Sequence, residues 1–246
     1  SMFVDYYIGS LRLWKGKKEN FNARSCEAIY AFKGDGQPEH IVLDGQQRLT
    51  AIFYAFKMPN VPLPKRTKRA IYYINIDKFM AEEYDDAFNY DWFSRRRKRM
   101  LENVKLQYEE HFFPLHVIGK GGWELYKWIE GYEKYWKDLM EEANSSGDQE
   151  LFRLASLYAE NAREFGSHIK DITDEYQISY IELDQELQID KVCDIFTQIN
   201  SRGVRLDVFD LMNALLKPKG LQLKQMWRKV SPRLEFVDTQ KMNVYI

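Results

Sequence analysis

The sequence predicts an α+β fold: a small mixed sheet, an inserted helical lobe and further helices toward the C-terminus. Three observations carry that expectation. Short apolar runs of strand character crowd the first third, apolar residues recur every three or four positions from about 81 to 165, and a strand-like run returns at 178–183. With 246 residues, 45% of them hydrophobic, the chain is long enough for one large core or two unequal lobes.

The first strands are expected at 6–13, 27–32, 40–43 and 71–76, where Ile, Val, Tyr and Phe are concentrated between Gly, Asn, Asp and Pro. Between the third and fourth, 49–57 (LTAIFYAFK) is apolar on more than one side, as a buried helix would be, and Pro59, Pro62 and Pro64 end it. In the helical lobe, Leu125, Trp128, Ile129, Tyr132, Tyr135, Trp136 and Leu139 form a stripe that reads as core together with Trp123, and a second helix covers 149–165. Asn144, Ser145, Ser146 and Gly147 between them have the composition of a surface loop. After the strand at 178–183, a helix is expected over 190–199, with Asp190 suiting the positive end of its dipole. Asn200, Ser201, Arg202 and Gly203 stop it, Asp207 caps a further helix at 208–216, and Pro218 and Gly220 break the chain again. The expected divisions are a sheet core at 1–80, a helical insertion at 81–170 and a returning strand with C-terminal helices at 171–246, all within one continuous domain.

Charge narrows the function classes. Lys and Arg total 36 against 37 Asp and Glu, so no global field draws the chain to nucleic acid or to an anionic membrane, and any such contact must come from a local patch. Cys26 and Cys193 lack C-x-x-C spacing and read as small buried apolar residues, which fits a reducing compartment. No apolar run approaches the ~20 residues that span a bilayer, and the start carries no secretion signal, so a cytoplasmic protein with no membrane partner is expected. Ser1 ahead of Met2 reads as a remnant of tag cleavage, and a strand begins almost at once, so the domain is expected to be cut at its front.

The most informative segment is 40–50, HIVLDGQQRLT, in which an apolar strand runs through Asp44, Gly45, Gln46, Gln47 and Arg48 into a helix. A helix start presents N–H groups with no intrahelical acceptor, its dipole favours negative charge, and Gly45 allows a phosphate to come close to the backbone. Arg48 adds a guanidinium fork suited to phosphate oxygens, while Gln46 and Gln47 supply neutral donors or orient a water. Two readings fit these residues: an anion site, or a capped Asp-Gly turn beside a solvated Arg.

DGQQRLTA resembles the DGQQRLT signature of the N-terminal domain family of GmrSD-type modification-dependent restriction proteins. The stretch 189–216, IDKVCDIFTQINSRGVRLDVFDLMNALL, resembles the same family's later motif, with Phe196, Asn200, Arg202, Gly203, Leu206, Asp210 and Leu211 on matching positions. Taken alone, Phe196, Leu206 and Leu211 read as core, Gly203 as a helix C-cap and Asp210 as a local hydrogen-bonding residue. Asn200 and Arg202, on a polar loop, are candidates to face the 44–48 turn. Shorter matches are Tyr7-Ile8-Gly9-Ser10 and Phe113-Pro114-Leu115, while the family's upstream Tyr-Gln-Arg or Phe-Gln-Arg element has no counterpart before Phe3.

The resemblance implies a ParB/sulfiredoxin-like sheet and a domain that binds, and hydrolyses, a nucleoside triphosphate with Mg²⁺ to gate a nuclease or other effector in restriction or antiphage defence. Arg48 would clamp phosphate, Gln46 and Gln47 would position phosphate or water, and Asp44 would hold the turn or contact hydrated Mg²⁺. Asn200, Arg202 and Gly203 would close the site, and the implied partners are the nucleotide, DNA and a nuclease domain or subunit. His40, His111, His116 and His168 show neither zinc nor HNH spacing, so the nuclease half is expected outside this chain.

The basic run Arg95, Arg96, Arg97, Lys98 and Arg99, with 65–69, is a candidate DNA contact or a solvated helix face. Two rival functions remain open on the sequence. One is a DNA-recognition module whose 44–48 turn binds backbone phosphate; the other is a partner-docking domain whose motifs only stabilise turns.

Overall fold

The computed structural model describes residues 9–16, 28–34 and 37–188, together with 191, 192, 194, 195, 226 and 229. In chain order its elements are β1 (Leu11–Lys15), β2 (His40–Asp44), α1 (Gln46–Lys57), β3 (Ala70–Asn75), α2 (Ile76–Met80), α3 (Tyr84–Ala87), β4 (Phe88–Trp92), α4 (Arg95–Glu102), α5 (Val104–Glu109), β5 (Phe112–Pro114), a 3-10 turn (Leu115–Lys120), α6 (Gly122–Ser146), α7 (Gln149–Glu175) and β6 (Tyr180–Leu183). The α+β class expected from the sequence is the one observed. Among the described residues, a larger compact unit takes in 9, 29–32 and 47–178, and a smaller one 10–16, 28, 33–34, 37–46 and 179–188 with 191, 192, 194, 195, 226 and 229.

The smaller unit is built on a three-stranded sheet of order β2-β1-β6. β1 and β2 run antiparallel, setting Arg12 against Asp44 and Lys15 against His40, with an irregularity between Arg12 and Leu13. β6 joins the other edge of β1 in parallel, Leu11 beside Tyr180 and Trp14 beside Leu183, so this sheet is mixed, as expected. Trp14 is buried, and its indole N–H donates to the Asp184 carbonyl at 3.0 Å.

The larger unit holds an antiparallel sheet, β4-β3-β5, and the long α6–α7 helical hairpin. Its core is aromatic: Phe113, Tyr132 and Phe165 are fully buried and pack with Phe79, Trp128 and Trp136. Edge-to-face geometry recurs, with Phe113 at 4.8 Å from Trp128 and 5.2 Å from Phe165, as ring quadrupoles favour. Asp148 starts α7 by accepting from the Leu151 N–H at 3.0 Å. His111 stacks on Trp136 with rings 3° from parallel, and its Nδ1 lies 2.6 Å from the Tyr132 hydroxyl.

Several expectations need correction. The run 27–32 is not a strand over its described residues, which form a turn with Ala31 at a φ of +70°. β4 and β5 lie inside the stretch expected to be helical; the three residues of β5 are too short for a period of two to register against the flanking helices. α6 continues through Ser146, leaving Gly147 rather than a four-residue loop to make the turn. Trp123 is not core but 66% exposed, stacked on Tyr126 at 5.7 Å. Residues 191, 192, 194 and 195 of the expected 190–199 helix are helical, whereas Cys26, Cys193 and 196–216 lie outside the described residues. Among those described, no helix is long and apolar enough to cross a membrane.

Candidate functional site at the strand-to-helix turn

The turn is built as its residues dictate. β2 ends at Asp44, Gly45 has a φ of +95°, and α1 begins at Gln46. Only glycine takes that backbone conformation without strain. Gly45 also stands in the N-cap position, where it brings no side chain to satisfy the opening N–H groups of α1.

Asp44 precedes Gly45 as the last residue of β2. The β1–β2 register puts it across from Arg12, whose Nη1 lies 3.4 Å from Oδ2, so this carboxylate is held within its own sheet. Gln46 is exposed and folds back, its amide donating to the Val42 carbonyl at 3.0 Å. A second cross-sheet pair, His40 Nε2 to Glu182 Oε2 at 2.5 Å, ties the start of β2 to β6. Sequence reasoning did not single out Arg12; no local signal marks it, because its role follows from strand register.

In the larger unit, Gln47 is exposed and Arg48 half-buried. Arg48 lies against Gly9, where φ is +86° and any Cβ would collide with Arg48 Nη1. The absence of a side chain at Gly9 therefore makes room for the guanidinium. Two sequence matches made separately, Gly9 within YYIGS and Arg48 within DGQQR, meet in space. That Gly9 belongs to the site was legible only as a glycine inside a motif.

Asn200, Arg202 and Gly203 lie outside the described residues. Among those described, no three His, Cys, Asp or Glu side chains gather to hold a metal ion. In the basic run, Arg95, Arg96, Lys98 and Arg99 are exposed, whereas Arg97 turns inward and its Nε donates to Asp91 Oδ2 at 2.7 Å. Burial raises the Asp91 carboxyl, but hydrogen bonds from Arg97 and the Trp92 N–H, with the charges of Arg97 and Arg96, outweigh it and hold the group below its ordinary value.

A cavity of about 200 Å³, lined by Tyr108, His116, Lys120 and Trp128 among others, includes none of the expected site residues. Burial, and secondarily the charge of Lys120, pushes His116 down to about 4, and burial pushes Tyr108 up to about 12, so both stay neutral at physiological pH.

Comparison with known proteins follows the same two motifs. Residues 1–217 match the profile of the GmrSD restriction endonuclease, N-terminal domain. An uncharacterized protein of Methanocaldococcus jannaschii is 27% identical over 238 residues, a match covering 92% of this chain and 37% of that protein. The chain thus spans well under half the length of this relative. Because the family match runs through most of the sequence and includes both the DGQQR turn and the INSRG segment, the chain belongs to the GmrSD restriction endonuclease N-terminal domain family.

Proposed function

We propose that this chain is the nucleotide-handling domain of a restriction-type defence protein, binding a nucleoside triphosphate at the 44–48 turn and hydrolysing it to gate a nuclease or effector. The observation that carries the reading is the entry into α1: a left-handed Gly45 that brings no side chain, then a helix start with no acidic residue in its first turn. Such a start favours an anion through its N–H groups and its dipole, where an acidic first turn would repel one.

Each side chain then has a task. Arg48, seated on Gly9, would neutralise phosphate oxygens as charge develops on them. Gln47, exposed at the helix start, would orient a water for in-line attack on the terminal phosphorus, the bridging P–O bond breaking toward the diphosphate. Asp44 is the one carboxylate of the turn and is engaged with Arg12. It fits a hydrated Mg²⁺ arriving with the triphosphate, since that ion keeps most of its waters and needs few protein ligands. Gln46 would hold the turn through Val42. Asn200, Arg202 and Gly203 enter the reading by family resemblance, as does a ParB/sulfiredoxin-like fold, with which the mixed β2-β1-β6 sheet is compatible.

Calorimetric titration of ATP, GTP and CTP with Mg²⁺ into the wild type, Arg48→Ala and Gly9→Ala tests this, after circular dichroism confirms that all three are folded. Binding by the wild type, lost in Arg48→Ala and weakened in Gly9→Ala, is the expected result. A folded wild type that binds no nucleotide, or an Arg48→Ala variant that binds equally well, would sink the reading.

A further inference from the structure

Sequence alone groups the runs 65–69 and 95–99 only by composition, and strand pairing brings them together in space. β3 and β4 are antiparallel with Ala70 beside Trp92, and the Phe93 N–H donates to the Arg69 carbonyl at 2.9 Å. The segment entering β3 and the segment leaving β4 therefore stand at the same end of one sheet. Four of the five residues 65–69 and all five of 95–99 are cationic, in a chain whose net charge is −1.

The packing of α4 decides which of these face outward. Met100 is buried against Ile71 and Phe112. Arg97, one turn earlier on the same face, pairs with Asp91 and lies over the rings of Tyr73 and Phe112 at 5.1 and 5.2 Å. Arg97 is thus a pin that fastens the helix to the sheet. Arg95, Arg96, Lys98 and Arg99 fall on the opposite, exposed face. Arg96 has Glu110 at 3.7 Å and Lys98 has Glu102 at 3.7 Å. Lys65, Arg66 and Lys68 are also exposed, and with Arg95 and Arg99 they form no ion pair among the described residues.

This arrangement is unfavourable in the isolated chain. Three arginines occupy the first turn of α4, at the positive end of the helix dipole and with no acidic residue there, and Arg95 and Arg99 repel each other at a spacing of four. A polyanion relieves both. The outward face of α4 offers no apolar side chain to enter a bilayer, nor the apolar anchor around which protein interfaces are built. Guanidinium forks suit phosphate diesters, which they can bind bidentately without reading bases.

We infer that Lys65, Arg66, Lys68, Arg95, Arg96 and Arg99 form a docking surface for the sugar-phosphate backbone of duplex nucleic acid, independent of sequence. It is separate in residues from the nucleotide turn and does not rest on that reading.

The test is fluorescence anisotropy of a short labelled duplex DNA across a salt series. It compares the wild type with the triple variants Arg95→Ala/Arg96→Ala/Arg99→Ala and Lys65→Ala/Arg66→Ala/Lys68→Ala, and with a control, Lys134→Ala/Arg153→Ala/Lys170→Ala. Each docking-surface triple should weaken binding at least tenfold and lower the slope of log affinity against log salt by roughly 2 to 3, at about 0.9 per lost phosphate contact. The control should match the wild type. DNA bound to the wild type should also protect Lys65 and Lys68 from acetylation, a readout that needs no variant to fold. No DNA binding, unprotected lysines, an equal loss in the control, or equally tight binding of poly-glutamate would each overturn the proposal.

Discussion

In the antiparallel sheet, Ile71, Ile74 and Phe113 are all but fully buried, and Ile74 and Phe113 sit among Trp128, Tyr132 and Phe165. Every residue of β2 in the mixed sheet is only half-buried, and polar contacts tie that strand down: Arg12 on Asp44, Glu182 against His40, Gln46 on Val42. Burying a large side chain contributes roughly 1.5–3 kcal/mol, whereas a partly exposed ion pair contributes about 0–1. The difference teaches that the aromatic body supplies stability, while the strand carrying the candidate site is fixed in geometry by contacts that add little to it.

The harshest trial of this contrast is Phe165→Ala. The ring is fully buried, 5.5 Å from Phe79 and 5.2 Å from Phe113, so its removal should cost about 3–5 kcal/mol in urea denaturation. A loss below about 1 kcal/mol would mean that the aromatic body is not where stability resides.

A smaller effect is expected from pH. The folded chain holds His116 at about 4, against an ordinary 6.5, and burial lowers His111 as well, opposed by Asp77. As pH falls below 6.5 the unfolded chain takes up protons that the folded one declines, so stability is lost across that window and levels off below about 4. Because His116 is only partly buried, the loss attributable to it should be on the order of 1–2 kcal/mol, and His116→Gln should flatten the profile correspondingly. Parallel profiles for wild type and variant would assign the pH dependence to other groups.

Arg12→Ala should matter least to stability. Its contact with Asp44 is 3.4 Å long and partly exposed, so thermal melts in a double-mutant cycle with Asp44→Ala should register a coupling of at most about 1 kcal/mol. A loss approaching that of Phe165→Ala would erase the distinction between the two sheets.

Much of this was legible in the sequence where a single physical rule dominated. The stripe from Leu125 to Leu139 yielded α6, β2 emerged from HIVLD, and Asp-Gly between apolar runs marked the turn. Rules of local periodicity fail where another constraint prevails. β4 and β5 are strands only because β3 lies between them, whereas Trp123, two residues before Leu125, falls on the side of α6 opposite the stripe and so faces outward. At the site, Gly45 and Arg48 announced themselves by motif. Arg12 did not, because its relevance comes from register, and Gly9 stood within a motif that did not show its task, which is to leave space for another residue's guanidinium.

The parallel seam between β1 and β6 sets an order of assembly. Trp14 and its acceptor Asp184 are 170 positions apart, and the strands and helices of the larger unit's 47–178 stretch all lie between them in the chain. Closing so long a loop is entropically costly and slow compared with the local contacts of the α6–α7 hairpin. In chain order the described strands and helices of the aromatic body all precede β6, and β1 with β2 must wait for it as a two-stranded ribbon, which is marginal alone. A chain halted before residue 180 would therefore keep its most stable part and leave one edge of β1 open to pairing with a neighbour, making β6 a guard of the molecule against aggregation.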